Sequence, residues 1–159
     1  MRNKKTPVLL VVILIIALSS CYSYYCSPAP GLRISTIGFT PSEINKIVLL
    51  KYAKGSGFTN LVDTLLIDSS VAVFTNAADT LNMSSVRSDA LLQSAYDYVV
   101  YFPSNNITAQ IAGIEEPQNK EKRGLFSAKN ACVNIITSYQ INGTTVRING
   151  TDDRLFIHR

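Results

Sequence analysis

Along most of this chain, apolar residues recur at every second position, in short runs cut by glycine, proline or asparagine. A period of two puts alternate side chains on opposite faces, which commits a segment to a half-buried β-strand. Tyr96, Tyr98, Val100 and Phe102 alternate with Asp97, Val99 and Tyr101, and the run stops at Pro103-Ser104-Asn105-Asn106. Ile107, Ala109 and Ile111 then alternate with Thr108, Gln110 and Ala112. The two segments predict a hairpin with a longer loop. A second hairpin is predicted where Val133 to Tyr139 and Thr144 to Ile148 flank Asn142-Gly143. Asn-Gly supplies the positive φ angles of a type I′ turn.

Further strands are predicted at Leu32 to Phe39, Leu61 to Ile67, Val71 to Thr75 and Leu155 to Ile157. Ile44 to Lys54 is apolar on both faces, as a central strand is, and Gly55-Ser56-Gly57 ends it. Asn76 to Asp79 is a turn-prone cluster. Ser88 to Ala95 is the only segment that reads as helix, with Ser88 as its cap. So short a helix would rest on tertiary contacts. Glu115 to Lys129 is charge-rich and reads as a solvated loop. The body, 32–159, is therefore expected to be all-β: a single β-sandwich, Ig-like or related, with at most one short helix. A small β-barrel is the alternative. There is no convincing internal repeat.

The first residues are of another kind. Met-Arg-Asn-Lys-Lys is basic, Val8 to Leu18 is apolar, and Leu18-Ser19-Ser20-Cys21 closes the run. That order is a secretory signal. The apolar stretch falls short of the roughly 20 residues that cross a bilayer, so an uncleaved anchor is the poorer reading. Leu-Ser-Ser-Cys resembles the lipobox of bacterial lipoproteins. The resemblance implies that 1–20 are removed, that Cys21 is acylated, and that 21–31 form a lipidated tether. A plain secretory signal is the alternative. The tyrosines of the tether, Tyr22, Tyr24 and Tyr25, suit a membrane interface. Prolines 28 and 30 and Gly31 argue against regular structure there.

In the body, Ile37-Gly38-Phe39-Thr40, Asn45-Lys46-Ile47, Lys51-Tyr52-Ala53-Lys54-Gly55 and Tyr98-Val99-Val100-Tyr101-Phe102-Pro103 are similar to the small lipoproteins of Bacteroidetes-type bacteria. That likeness implies an envelope address and no defined activity. In that group, acidic residues just after the lipidated cysteine mark surface export. Tyr22-Ser23-Tyr24-Tyr25 has none, which implies a lipid anchor on the periplasmic side of the outer membrane. With Cys21 acylated, Cys26 and Cys132 remain. They are expected to pair in an oxidising compartment, two buried thiols being the alternative.

The formal charge of +4 belongs largely to the signal. Without Arg2, Lys4 and Lys5, twelve basic residues face eleven acidic ones, which gives no electrostatic case for nucleic acid. Catalytic equipment is sparse. The single histidine, His158, is next to last, and a Ser-His-Asp or Cys-His set would have to use it. No zinc set or P-loop is evident. Glu115-Glu116 read as solvated surface and Asp152-Asp153 as a turn without the spacing of a calcium loop. No catalytic residue, metal or cofactor is expected. Asn82, Asn106, Asn142 and Asn149 begin Asn-x-Ser/Thr tripeptides, ordinary turn residues in a bacterium. Asp63-Thr64-Leu65 and Asp79-Thr80-Leu81 resemble O-glycosylation sites of Bacteroidetes-type bacteria, implying Thr64 and Thr80 as acceptors.

The function expected is that of a lipid-anchored, non-catalytic envelope protein that binds or supports another envelope component. A glycan- or peptide-binding module built on Tyr96, Tyr98 and Tyr101 is the alternative, and an envelope hydrolase using carboxylates the third reading. The intact mass of the protein from native membranes is expected to equal residues 21–159 plus acyl chains, with two thiols alkylated only after reduction. An unacylated or uncleaved mass would remove the anchor.

Overall fold

A computed structural model describes residues 22–77, 79–123, 132–150 and 152–159. Its strands, in chain order, are β1 (Tyr22–Tyr25), β2 (Arg33–Ile37), β3 (Ile47–Ala53), β4 (Leu61–Ile67), β5 (Ala72–Ala77) and β6 (Thr80–Val86). They continue with β7 (Tyr96–Phe102), β8 (Ile107–Glu115), β9 (Lys120–Arg123), β10 (Ser138–Ile141), β11 (Thr144–Arg147) and β12 (Arg154–His158). The chain separates into two compact units. One comprises the described residues of 22–28 and 118–134, the other those of 29–117 and 135–159.

The larger unit is a β-sandwich. A six-stranded antiparallel sheet runs β11-β10-β8-β7-β3-β4, and a four-stranded sheet runs β12-β2-β6-β5. Neither closes into a barrel, so the barrel alternative does not apply. The smaller sheet is mixed, because the C-terminal β12 lies parallel to β2, with Leu155 against Ile34 and Ile157 against Thr36. Alternation decides what the sandwich buries. Ile47 and Leu49 of β3, Tyr98, Val100 and Phe102 of β7, and Ala109 and Ile111 of β8 enter the core from one sheet. Ile34, Leu81, Met83, Leu155 and Ile157 enter it from the other. Phe102 packs its ring 4.7 Å from that of Phe39. Tyr98 is fully buried, and its hydroxyl accepts a hydrogen bond from the Gln93 N–H at 2.8 Å.

The expected hairpins form, but the first arm of the second is Ser138–Ile141 rather than 133–139. β7 pairs with β8 from Tyr98↔Ile111 to Phe102↔Ile107. β10 and β11 turn at Asn142 (φ 49°) and Gly143 (φ 80°), as a type I′ turn demands. β3 is flanked by β4 and β7 and is central. A bulge breaks the β8–β10 register between Ser138 and Gln140. There Gly113 adopts φ 57°, a conformation that costs a side chain most residues carry. The carboxylate of Asp97, itself buried, accepts the N–H of Gly55 at 2.7 Å and that of Gly113 at 3.4 Å. It ties the end of β3 to the bulge.

Three expectations are corrected. The segment 88–95 is not a helix of two turns but a single 3-10 turn, Ser88–Ala90. Beyond it Leu92 exchanges both backbone hydrogen bonds with Leu32, because Ala90 and Leu92, two apart and both fully buried, follow the period of a strand. β6 was hidden because polar Asn82, Ser84 and Ser85 outnumber its buried Leu81 and Met83. The smaller unit supplies the third. The 22–31 stretch is not irregular throughout, nor is 115–129 a loop throughout, since β1 pairs antiparallel with β9 from Tyr22↔Arg123 to Tyr25↔Lys120.

Tyrosine favours strands, and the Lys120 Nζ lies 4.5 Å over the Tyr25 ring. Cys26 and Cys132 are disulfide-bonded, with Cα atoms 4.9 Å apart. Around the bond, Ser27 N–H donates to the Cys132 carbonyl and Asn134 N–H to that of Ser27. Among the described residues no helix is long and apolar enough to cross a membrane.

Burial pushes the Tyr98 hydroxyl up to about 12. Its folded value lies above the unfolded one of about 10. The stability tied to it is therefore complete below about pH 10 and lost as pH climbs toward the folded value. Tyr98→Phe is expected to cost about 1 kcal/mol at neutral pH, through the Gln93 hydrogen bond, and to show a shallower loss in alkali by denaturant melts. Phe102→Ala is expected to cost about 3–5 kcal/mol at any pH.

Candidate functional site

Six strands face four, so part of the larger sheet's inner face has no strand opposite it. That part is the β10–β11 hairpin, at the edge beside β12. Its inward side chains Tyr139, Ile141 and Val146, with Ile107 and Ala109 of β8, floor a groove of about 620 Å³. Ile37 at the end of β2 and Phe156, Ile157 and His158 of β12 form its wall. Ile37, Ile107, Ile141, Val146 and Phe156 are each only half-buried. The groove is apolar within and polar at its rim, where Thr108, Asn142, Thr144 and His158 are exposed. A concave apolar site with a few polar groups at its margin is the usual form of a binding site.

Tyr139 sets the groove's inner limit. It is 2 % exposed, and it lines the groove together with Phe156 and Ile157 of β12. Burial raises the pKa of its hydroxyl. The ring spans the gap between the sheets and does part of what a further strand would do. Beyond it lies a recess of about 180 Å³ beside Arg147, Asp152 and Arg154. A separate hollow of about 610 Å³ lies at the opposite edge of the sandwich, between the Pro41–Lys46 turn and β5.

The acidic residues do not converge in the groove. Asp152 accepts from Arg154 at 2.8 and 2.9 Å, and this pairing holds its carboxyl below the usual carboxylate range. Asp153 pairs with Arg33 at 2.7 Å. Glu115 and Glu116 are not simply solvated, since Glu115 accepts from the Ser138 hydroxyl at 2.8 Å and Glu116 from the Ala29 N–H at 2.8 Å. Among the described residues no group of three His, Cys, Asp or Glu side chains is placed to hold a metal.

The tyrosines of β7 do not make one platform. Tyr98 is in the core, Tyr96 is half-buried with the Lys51 Nζ 4.8 Å over its ring, and Tyr101 lies on the opposite face, bonded to Asn106. Thr64 is exposed on β4, whereas Thr80 is half-buried at the start of β6, opposite Ala77 and Ile37. Cys21 and the signal lie outside the described residues.

Sequence reasoning missed the groove. Ile141, Val146 and Phe156 read only as strand residues, and nothing local announces that the sheet opposite stops short of them. His158, read as a terminal residue leaving the last strand, does stand at the groove's rim. Compared with protein-family models, curated proteins and solved structures, the chain has no match.

Proposed function

We propose that this is a lipid-anchored, non-catalytic protein of the cell envelope that binds another envelope protein through the groove beside β12. Acylation at Cys21 supplies the membrane attachment, on the periplasmic side of the outer membrane. The observation that carries the reading is the apolar floor left open by the unequal sheets. Half-buried Ile107, Ile141 and Val146 are surface that association would remove from water, at roughly 25 cal/mol per Å² of apolar area. The non-catalytic part of the reading rests on how the acids are engaged: Asp152 and Asp153 by arginines, Glu115 and Glu116 by hydroxyl and backbone donors. The groove, floored by apolar side chains, suits apolar side chains of a partner.

A photo-crosslinking residue in place of Ile141, on the groove floor, tests this in living cells. It is expected to give a discrete adduct with one envelope protein. The same probe in place of Thr145, on the other face of β11, is expected to give none. No adduct from position 141, or the same adducts from both positions, would sink the reading.

A further inference from the structure

The small unit sorts its residues by face. Along 23–27 exposure alternates: Ser23, Tyr25 and Ser27 are exposed, Tyr24 is half-buried and Cys26 is buried. A strand sends successive side chains to opposite faces, so the three exposed residues share one. Residues opposite each other across a pair share a face as well. Lys120 stands opposite Tyr25 and Lys122 opposite Ser23, and Val133 is bridged to Ser27. Lys120 and Val133 are exposed, whereas Asn134, the next residue along, is buried.

One face of the unit therefore gathers an aromatic ring, an aliphatic side chain and two lysine positions. Tyr25 and Val133 are 56 % and 47 % exposed, the large apolar side chains so exposed among the unit's described residues. The Lys120 Nζ, 4.5 Å over the Tyr25 ring, sets a positive charge beside apolar surface. The one acid among those residues, Glu121, holds the position opposite Tyr24, on the other face. The outer face carries cations and no acid.

We infer that this face, Tyr25 and Val133 with Lys120 and Lys122, is a docking surface for anionic phospholipid. The inference rests on the acylation proposed for Cys21, which directly precedes β1. At about 3.4 Å per residue, Ser27 lies within roughly 20 Å of that cysteine. A lipid on Cys21 thus holds the whole face beside the headgroups, where even a weak attraction suffices because it acts within one tethered assembly. Tyrosine rings settle at headgroup depth. Basic residues next to a membrane anchor are drawn to negatively charged lipid. The lipid would then hold the protein to the bilayer, and the face would fix how the small unit lies on it.

The chain has no tryptophan, so Tyr25→Trp places a unique reporter on the face. The full chain is purified from the membranes of producing cells, its acylation is read by intact mass, and it is reconstituted in vesicles of phosphatidylcholine and phosphatidylglycerol. Brominated acyl chains in those vesicles are expected to quench the emission. In phosphatidylcholine alone, the protein is expected to stay bound through its lipid while the quenching is lost. Adding Lys120→Glu and Lys122→Glu is expected to have the same effect, with the Cys26–Cys132 bond still resistant to alkylation. Raising the salt concentration, which needs no further substitution, is expected to do so too. Acylated protein that shows no quenching with phosphatidylglycerol would overturn the inference and leave the anchor standing. So would quenching indifferent to lipid charge, salt and the two lysines, which would come from nearness to the anchor alone. An intact mass without acyl chains would overturn the anchor and the inference together.

Discussion

Unequal sheet size is the constraint from which the rest of the sandwich follows. Two sheets can share a dry core only where strand lies over strand, and here the four-stranded sheet covers less than the six-stranded one presents. Over the covered part, period-two alternation fills the space with Ile34, Leu49, Tyr98, Phe102 and Leu155, all essentially without solvent contact. Over the uncovered part, the same alternation keeps sending apolar side chains inward. Ile141 and Val146 then meet a groove instead of a facing strand. Tyr139 is the local compromise: a large, buried ring beside Phe156 and Ile157 of β12.

The placement of β12 has a second consequence. It joins β2 in parallel, across 120 residues of chain, so the smaller sheet is incomplete until the C-terminus arrives. Pairings this distant in sequence close large loops before they yield any contact, and they slow folding. The Cys26–Cys132 bond, with a sequence separation of 106, acts on the same entropy from the other side. In the chain-entropy model a loop of that size is worth roughly 4–5 kcal/mol relative to an unlinked denatured chain. The bond lies in the small unit, where β1 and β9 are strands of only four residues. Covalent closure suits so small an element.

How much was legible depended on whether a residue's structural role was expressed in its own neighbourhood. β7 announced itself because Tyr96 to Phe102 alternates without interruption, and the β10–β11 turn because Asn142-Gly143 has one favoured conformation. The sandwich class followed from the number and shortness of such runs. β6 was obscured by its polar face, and the Ser88–Ala95 segment was misread because its composition favours helix while Ala90 and Leu92 are claimed by the core. β1 and β9 were missed because each is persuasive only beside the other. The disulfide was legible by arithmetic on three cysteines. The groove was not legible at all, since it is a property of how many strands each sheet contains.

The central claim is that the uncovered inner face of β10–β11 is a binding surface in the membrane of origin. Hydrogen exchange of the full chain, compared in native membranes and after purification, tests it most directly. A bound partner would slow exchange along 141–146 and 154–158 in the membranes, and purification would release it. Equal exchange in both states would mean that the groove stands empty where the protein works, and would contradict the account.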